Sequence, residues 1–162
     1  MGNYHRAMNP DEPVDLGILL ALAYQEFVRA LRADMAHEGF DDLGRSDGFV
    51  FRMLARGPLT VSELAARLDI SQQGAGQIVE DMTRRGYLQR RPDPTDARAR
   101  LVELAPRGLA ALDTAHRFHQ RYERQLVRGH GKNGLANLRA ILTAMAGVTP
   151  ATLDPQLRAL YL

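Results

Sequence analysis

Residues 59–86, LTVSELAARLDISQQGAGQIVEDMTRRG, decide the fold of this 162-residue chain. Thr60 followed three residues later by Glu63 is a capping box, in which a hydroxyl and a carboxylate satisfy backbone N–H groups at the start of a helix. Asp69 interrupts the helical pattern, and Ser71 is a suitable N-cap for a second helix. Two helices joined by so short a turn are typical of a helix-turn-helix, whose second helix is the recognition helix.

A hairpin is predicted directly after the second helix, which Gly86 ends. Residues 87–91 and 100–104 are β-capable runs on either side of PDPTDARA, whose prolines and aspartates mark a turn. This loop is longer than most hairpin loops, so we expect its tip to project and to be mobile. Seven arginines lie between residues 84 and 107, against three acidic residues. A basic hairpin beside a helix-turn-helix is suited to DNA phosphates and to the minor groove.

Three glutamines, Gln72, Gln73 and Gln77, lie in the first turns of the second helix, which in this arrangement meets base edges in the major groove. Glutamine pairs with adenine through two hydrogen bonds, so we expect these side chains to read DNA sequence. The helix N-terminus at Ser71 offers free backbone N–H groups to a phosphate. The alternative interpretation of the glutamines is a solvated polar face.

Two glycines, Gly74 and Gly76, are unusual inside a helix, where each costs up to about 1 kcal/mol relative to alanine. They indicate either a close approach of the helix backbone to DNA or close packing against another helix. The sequence leaves both alternatives open.

Apolar residues at steps of three and four predict helices on both sides of this central part. The first runs from residue 14 to about Gly39, and Asp47 is expected to cap the second, which ends at Gly57. After the hairpin, one helix is expected from Pro106 to about Arg128, ended by Gly129 and Gly131. A further helix capped by Asn133 and an apolar tail follow. The apolar tail residues are Leu153, Leu157, Leu160 and Leu162.

We therefore expect a mainly α fold with a minor β component, in a single domain that spans residues 1–162. Residues 47–105 would form a winged helix-turn-helix lobe, and residues 1–40 and 106–162 would form dimerisation helices. These terminal helices carry more apolar surface than the small central lobe can cover. Burial against a second copy is the simplest solution, since most soluble oligomers are two-fold dimers.

Composition narrows the function further. Residues 1–50 carry 4 basic and 9 acidic groups, and residues 51–162 carry 17 basic and 10 acidic groups. This distribution favours a polyanionic partner, the alternative being solvated arginines on helix surfaces. The absence of cysteine excludes disulfides, thiolate nucleophiles and thiol redox sensing. No secretory signal, membrane-length apolar run or catalytic motif is visible, so we expect a cytoplasmic protein that is not an enzyme.

LTVSELAARLDIS and QIVEDMTRRGYLQRRPDPTDARARLVELAPRG resemble the DNA-binding lobe of the MarR family of bacterial transcription regulators, over about residues 47–110. The most specific element is the wing pattern of Asp96 and Arg98, followed by residues 104–108, where Ala105 replaces the usual threonine. The resemblance implies that Arg98 enters the minor groove and that Asp96 holds it in place. It also implies a homodimer bound to double-stranded DNA with a pseudo-palindromic operator. The candidate DNA-binding residues are Ser71, Gln72, Gln73, Gln77, Arg84, Arg90, Asp96, Arg98 and Arg100.

Many members of this family release DNA when a small aromatic or phenolic compound binds between the dimerisation helices and the DNA-binding lobe. The resemblance places a candidate pocket for a small aromatic or anionic effector at Tyr24, Phe27, Phe49, Arg52, Phe118 and Tyr122. Aromatic residues at helical spacing are also typical of a plain core. His116 and His119 lack a third ligand, so neither a metal nor another cofactor is expected.

Three functional hypotheses follow. The first is a homodimeric, sequence-specific DNA-binding regulator, a repressor that a small molecule releases. The second is an architectural DNA-binding protein without an effector. The third is a winged-helix module that binds another protein.

Overall fold

The computed structural model describes residues 13–96 and 98–147. Its elements, in chain order, are α1 (Leu16–His37), α2 (Asp47–Leu54), β1 (Leu59–Thr60), α3 (Val61–Leu68), α4 (Gln72–Arg84), β2 (Leu88–Pro92), β3 (Arg100–Leu104) and α5 (Pro106–Ala146). The three strands form an antiparallel sheet in the order β1-β3-β2. The expected mainly α fold with a small β component is confirmed.

The helix-turn-helix forms as its capping residues predict. The Thr60 hydroxyl accepts a hydrogen bond from the Glu63 backbone N–H at 3.2 Å, and the Glu63 carboxylate accepts one from the Thr60 N–H at 2.7 Å. Asp69 takes a left-handed conformation at the end of α3, with φ of 57°. The Ser71 hydroxyl then accepts from the Gly74 N–H at 3.0 Å and caps α4.

The expected role of Asp47 as the N-cap of α2 is wrong. Ser46 occupies the N-cap position without a side-chain hydrogen bond, and Asp47 lies in the first turn, almost fully buried. Its carboxylate accepts from the Gly44 N–H at 2.8 Å and from Arg85 at 2.6 Å. The carboxylate therefore serves a tertiary contact, which no local pattern reveals.

The hairpin of β2 and β3 with its connecting loop, residues 88–104, is called the wing below. Leu88 pairs with Leu104, and Arg90 pairs with Val102. The short strand β1 pairs with the other edge of β3 and was not expected, since two residues show no strand periodicity. Behind the sheet lies a core of large, fully buried side chains. These are Val50, Leu64, Val79, Met82, Tyr87, Leu88 and Val102.

The start of α5 is fixed closely against Tyr87, the residue that precedes the first strand of the wing. Ala105 N–H donates to the Tyr87 carbonyl at 2.9 Å. A Cβ atom on Gly108 would lie only 2.2 Å from that same carbonyl oxygen. Only glycine fits there, so the N-terminal turn of α5 cannot shift without disturbing the wing.

The long helix α5 is interrupted at Gly131, whose φ of 73° and ψ of 167° are not helical. The sequence predicts a break at Gly129 and Gly131, and the structure places it at Gly131. Beyond it, the chain turns back, because Arg139 donates to the Glu123 carboxylate. A straight helix would separate two residues sixteen apart by about 24 Å.

Large apolar side chains remain exposed at both ends of the described chain. They include Leu16, Ile18, Leu19 and Leu22 on α1, and Leu138, Ile141, Leu142 and Met145 on the last part of α5. The predicted apolar tail lies outside the described residues. Within residues 13–96 and 98–147, none of the helices has the length and apolar character needed to cross a membrane.

Candidate nucleic-acid interface

The recognition helix α4 has one buried and one exposed face. Ala75, Val79 and Met82 are buried in the core. The side chains of the predicted readers Gln72, Gln73 and Gln77 are all exposed, and so is the capping residue Ser71. The structure thus places these four residues together at the N-terminal half of one solvent-facing surface, the α4 outer face.

The two glycines of α4 do not serve tight packing between helices in the described part of the chain. A Cβ atom on Gly76 would have no neighbour within 4 Å. One on Gly74 would meet only the local side chains of Ser71 and Ile70, at 3.2 and 3.8 Å. Of the two alternatives that the sequence leaves open, an approach of the backbone to an external partner is favoured.

Two further residues complete the α4 outer face and were not predicted. Glu80 and Thr83 are exposed, and at 100° per residue they lie on the same side as Gln73 and Gly76. The spacing of Gln73, Gln77 and Glu80 by four and three residues was a sufficient signal for this placement.

The wing loop is organised by its aspartates. The Asp96 carboxylate accepts from the Arg98 backbone N–H at 2.9 Å. Asp93 accepts from the N–H and the hydroxyl of Thr95 at 2.8 and 2.7 Å. The hydrogen bonds from Thr95 lower the pKa of Asp93. Asp96 therefore holds the backbone that carries Arg98, while the Arg98 side chain projects into solvent.

The seven arginines between residues 84 and 107 divide into two groups, those whose side chains have a partner within the described protein and those whose side chains have none. The side chains of Arg90, Arg98 and Arg100 are exposed and make no hydrogen bond or ion pair to any other described residue. Arg91 is held by Glu103 at 2.8 Å, and Arg84 is exposed and pairs with Asp81. Hydrogen bonds from Gln89 and Arg91 lower the pKa of Glu103. Three arginines of the wing thus remain available to an external anion.

The remaining two, Arg85 and Arg107, are partly buried and bound to partners within the protein, so the sequence count overstates the charge of the wing surface. Arg85 donates to Asp47 at 2.6 Å, and through Nε to Asp81 at 2.8 Å. The hydrogen bond with Asp47 raises the pKa of Arg85. Arg107 lies 4.5 Å from the centre of the Tyr87 ring and donates to the Arg85 carbonyl at 2.6 Å.

Asp42 joins Tyr87 to this internal cluster. It accepts a hydrogen bond from the Tyr87 hydroxyl and one from Arg107 at 3.1 Å. Desolvation acts to raise the pKa of Asp42, but the hydrogen bond from Tyr87 and the charge of Arg107 outweigh it, and the pKa is lowered. Desolvation, followed by the bond to Asp42, raises the pKa of Tyr87. The cluster ties α2, the end of α4, the wing and the start of α5 together.

The predicted effector residues are only partly brought together. Phe27, Phe118 and Tyr122 form an aromatic cluster between α1 and α5, with ring centroids 5.1 to 5.7 Å apart. Tyr24 is exposed on α1, and Phe49 packs against the central core. Arg52 is not part of this cluster, but its charge acts on His119, a histidine that packs against Phe27.

His119 stacks on Phe27 with 5.5 Å between the ring centroids. Desolvation, together with the charges of Arg52 and His116, lowers the pKa of His119. Among the residues that the structure describes, no group of three metal-binding side chains lies close enough together to hold a metal ion. His116 and His119 therefore have no third ligand there.

Beside the aromatic cluster lies a cavity of about 670 Å³ between α1 and α5, called the α1–α5 groove below. Its lining includes Phe118 and Tyr122, two carboxylates, Glu26 and Asp34, and three arginines, Arg121, Arg124 and Arg128. Asp34 is neutralised by Arg121, whose Nη2 lies 2.5 Å from the carboxylate. The groove therefore combines aromatic surface with excess positive charge.

Comparison with known proteins identifies this architecture. Residues 41–99 match the model of the MarR family, which confirms the resemblance predicted from the sequence. RV1404 from Mycobacterium tuberculosis has the same fold, with 20% identity, 88% of this chain and 99% of that chain covered, and a TM-score of 0.72. No curated protein matches the chain.

Two similar structures contain nucleic acid. A mutant of MepR from S. aureus bound to an oligodeoxyribonucleotide has 17% identity, with 83% of this chain and 98% of that chain covered and a TM-score of 0.62. A mutant of MarR from E. coli complexed with operator DNA has 22% identity, with 82% and 94% covered and a TM-score of 0.59. At these identities the similarity establishes the fold.

Proposed function

We propose that this chain, whose residues 41–99 match the MarR family, is a sequence-specific DNA-binding transcription regulator that acts in the cytoplasm as a homodimer. The observation that carries this proposal is the pairing of two surfaces. The α4 outer face offers glutamines to base edges, and the wing that follows it offers Arg90, Arg98 and Arg100 without internal partners. The α4 outer face is suited to direct readout of bases in the major groove. The wing is suited to contacts with phosphates or with the minor groove.

The exposed apolar side chains of α1 and of the last part of α5 support the homodimer. Soluble monomers rarely expose large contiguous apolar patches, and a two-fold dimer would bury these. Leu22→Asp is expected to convert the dimer to monomers in sedimentation experiments. Leu109→Asp is the matched control, since Leu22 and Leu109 are 54% and 55% exposed. Leu109 lies in the first turn of α5, away from the apolar residues at the end of that helix. A Leu22→Asp variant that remains dimeric would contradict this interface.

The test of DNA recognition is selection of binding sites from random duplex DNA with the purified full chain at physiological salt. Enrichment of a two-fold symmetric motif, with half-sites about 10 base pairs apart, is the expected result. Binding without sequence preference would favour the architectural role. Complete absence of binding would favour a protein-binding module.

Within this function, the regulator acts as a repressor that a small anionic aromatic compound releases. The α1–α5 groove has the size of a small-molecule site, and its aromatic rings and arginines fit a ring with an acidic group. Benzoate is a suitable first probe. It should lower DNA affinity in the wild type and have less effect in Arg128→Gln, whereas Arg32→Gln on the exposed surface of α1, outside the groove, should respond as the wild type does. Equal responses of both variants to benzoate would exclude the groove as the binding site of the effector.

A further inference from the structure

We propose that Glu80 is a specificity-determining residue that reads a cytosine, so that each operator half-site contains a C·G pair beside the A·T pairs that the glutamines prefer. This inference rests on the proposed DNA binding by α4 and deepens it. It assigns part of the base composition of the operator.

Glu80 stands near the middle of the α4 outer face. At 100° per residue it lies between Gly76, one turn earlier, and Arg84, one turn later, with Gln73 and Gln77 to one side. Its side chain is exposed, whereas Val79 beside it, 100° around the helix, is buried in the core. A helix that presents this face to a major groove carries Glu80 into the groove as well.

The Glu80 carboxylate is not neutralised by the protein. The other acidic residue of α4, Asp81, forms ion pairs with both neighbouring arginines, Arg84 and Arg85. Within the described part of the chain, the side chain of Glu80 makes no hydrogen bond and no ion pair. An unpaired carboxylate in a surface that meets a polyanion weakens binding, unless it accepts a hydrogen bond from a specific donor.

The major groove offers such a donor on cytosine. A carboxylate has only acceptors, and cytosine presents its N4 amino group in the groove, whereas guanine presents acceptors alone. Adenine presents one donor next to an acceptor, which matches the donor and acceptor of glutamine better than a carboxylate. Glutamate beside glutamine therefore favours cytosine beside adenine.

Gly76 provides the access that this contact needs. Helical side chains lean toward the N-terminus, so the Glu80 side chain extends over the turn that begins at Gly76. The position of a Cβ atom on Gly76 is open, with no atom within 4 Å. The helix backbone can thus come close to the bases at the place where the carboxylate has to reach them.

The experiment compares binding-site selections with the wild type, Glu80→Ala and Asp113→Ala. Asp113 is an exposed acid on α5, so its substitution repeats the change of charge away from α4. Glu80→Ala keeps the fold, because alanine is the better helix former at an exposed position. We expect the wild type and Asp113→Ala to prefer C·G over other pairs by about tenfold at one position of each half-site. Glu80→Ala should lose that preference and keep the rest of the motif.

A base analogue tests the contact itself. Replacing the selected cytosine by 2-pyrimidinone, which lacks only the 4-amino group, should weaken wild-type binding by about tenfold and leave Glu80→Ala binding nearly unchanged. If Glu80→Ala instead binds every duplex more tightly and enriches the same motif, the carboxylate only opposes phosphate and the inference is wrong. If the wild type enriches no motif, sequence-specific recognition by α4 fails, and the role of Glu80 with it.

Discussion

Arg85 and Arg98 come from the same arginine-rich stretch, and the fold uses them in opposite ways. The Arg85 side chain is 17% exposed and is held by Asp47 and Asp81. The Arg98 side chain projects from the wing, and Asp96 binds only its backbone N–H. One arginine therefore joins elements of the protein, and the other is left for an external anion.

The difference shows that the charge of a surface is set by where the acidic residues lie in the fold. Arg85 and Arg107 are neutralised by Asp42 and Asp47, which stand far earlier in the sequence and belong to its acidic first part. The acidic excess of residues 1–50 thus has a partial structural explanation. It supplies counter-ions to Arg85 and Arg107, whereas the side chains of the wing arginines Arg90, Arg98 and Arg100 have none among the described residues.

The largest expected effect follows from breaking the internal group. Arg85→Met should lower the free energy of unfolding by about 3 kcal/mol, because Asp47 would stay buried without its counter-ion. Denaturant unfolding at one fixed protomer concentration measures the change. Adding Asp47→Asn to Arg85→Met should recover part of the loss, since the amide removes the unpaired charge.

Arg98→Met is the control for this experiment, because the same substitution at an exposed position should change stability by less than about 0.5 kcal/mol. An Arg85→Met protein as stable as the Arg98→Met protein would show that the internal ion pairs contribute nothing. In that case the distinction between the two groups of arginines would concern geometry alone.

The next largest effect concerns the exposed arginines of the wing. Arg98→Ala should weaken binding to the selected duplex by about 1 to 3 kcal/mol, because the variant loses a contact to DNA. Its thermal stability should match the wild type. Fluorescence anisotropy over a range of salt concentrations measures the affinity, with Arg29→Ala on α1 as the charge-matched control. Equal affinities of the two variants would remove the wing from recognition.

Local signals in the sequence were sufficient for the central elements, and long-range contacts were not visible in it. Thr60, Glu63 and Ser71 act within their own helix turns, so their spacing alone predicts the helix-turn-helix. Asp47 and Arg85 are 38 residues apart, and their pairing depends on the completed fold. For the same reason the strand β1, the return of the chain after Gly131 and the pairing of Arg107 with Asp42 were not predicted.

A smaller effect tests whether α4 approaches DNA through its backbone. Gly76→Ala should raise the free energy of unfolding by roughly 0.5 to 1 kcal/mol, since alanine favours the helix and its Cβ meets no neighbour. The same variant should bind the selected duplex more weakly, because the methyl group would stand between the backbone and the bases. Unfolding and anisotropy experiments on one preparation measure both.

Gly48→Ala in α2 is the matched control, because a Cβ atom there also has no neighbour within 4 Å. It should increase stability without a change in DNA affinity. Should Gly76→Ala bind DNA as tightly as Gly48→Ala does, close approach of the backbone would not explain the glycine.

The smallest expected effect concerns Tyr87, which connects the internal cluster to the wing. Desolvation and the hydrogen bond to Asp42 raise its pKa above the ordinary value of 10.0. The unfolded chain therefore loses the phenol proton first. The resulting stabilisation is complete below about pH 10 and is lost as the pH rises further, by at most about 1.4 kcal/mol per pH unit.

Denaturant unfolding between about pH 9 and pH 11 should accordingly show a shallower alkaline decline for Tyr87→Phe than for the wild type. Tyr24→Phe provides the comparison, because Tyr24 is 61% exposed and lies on α1, outside the cluster. Its decline should follow the wild type. Identical alkaline declines for both variants would mean that the Tyr87 phenol ionises as readily in the folded protein as in the unfolded chain. The internal cluster would then hold the lobe together through Arg85 and Arg107 alone.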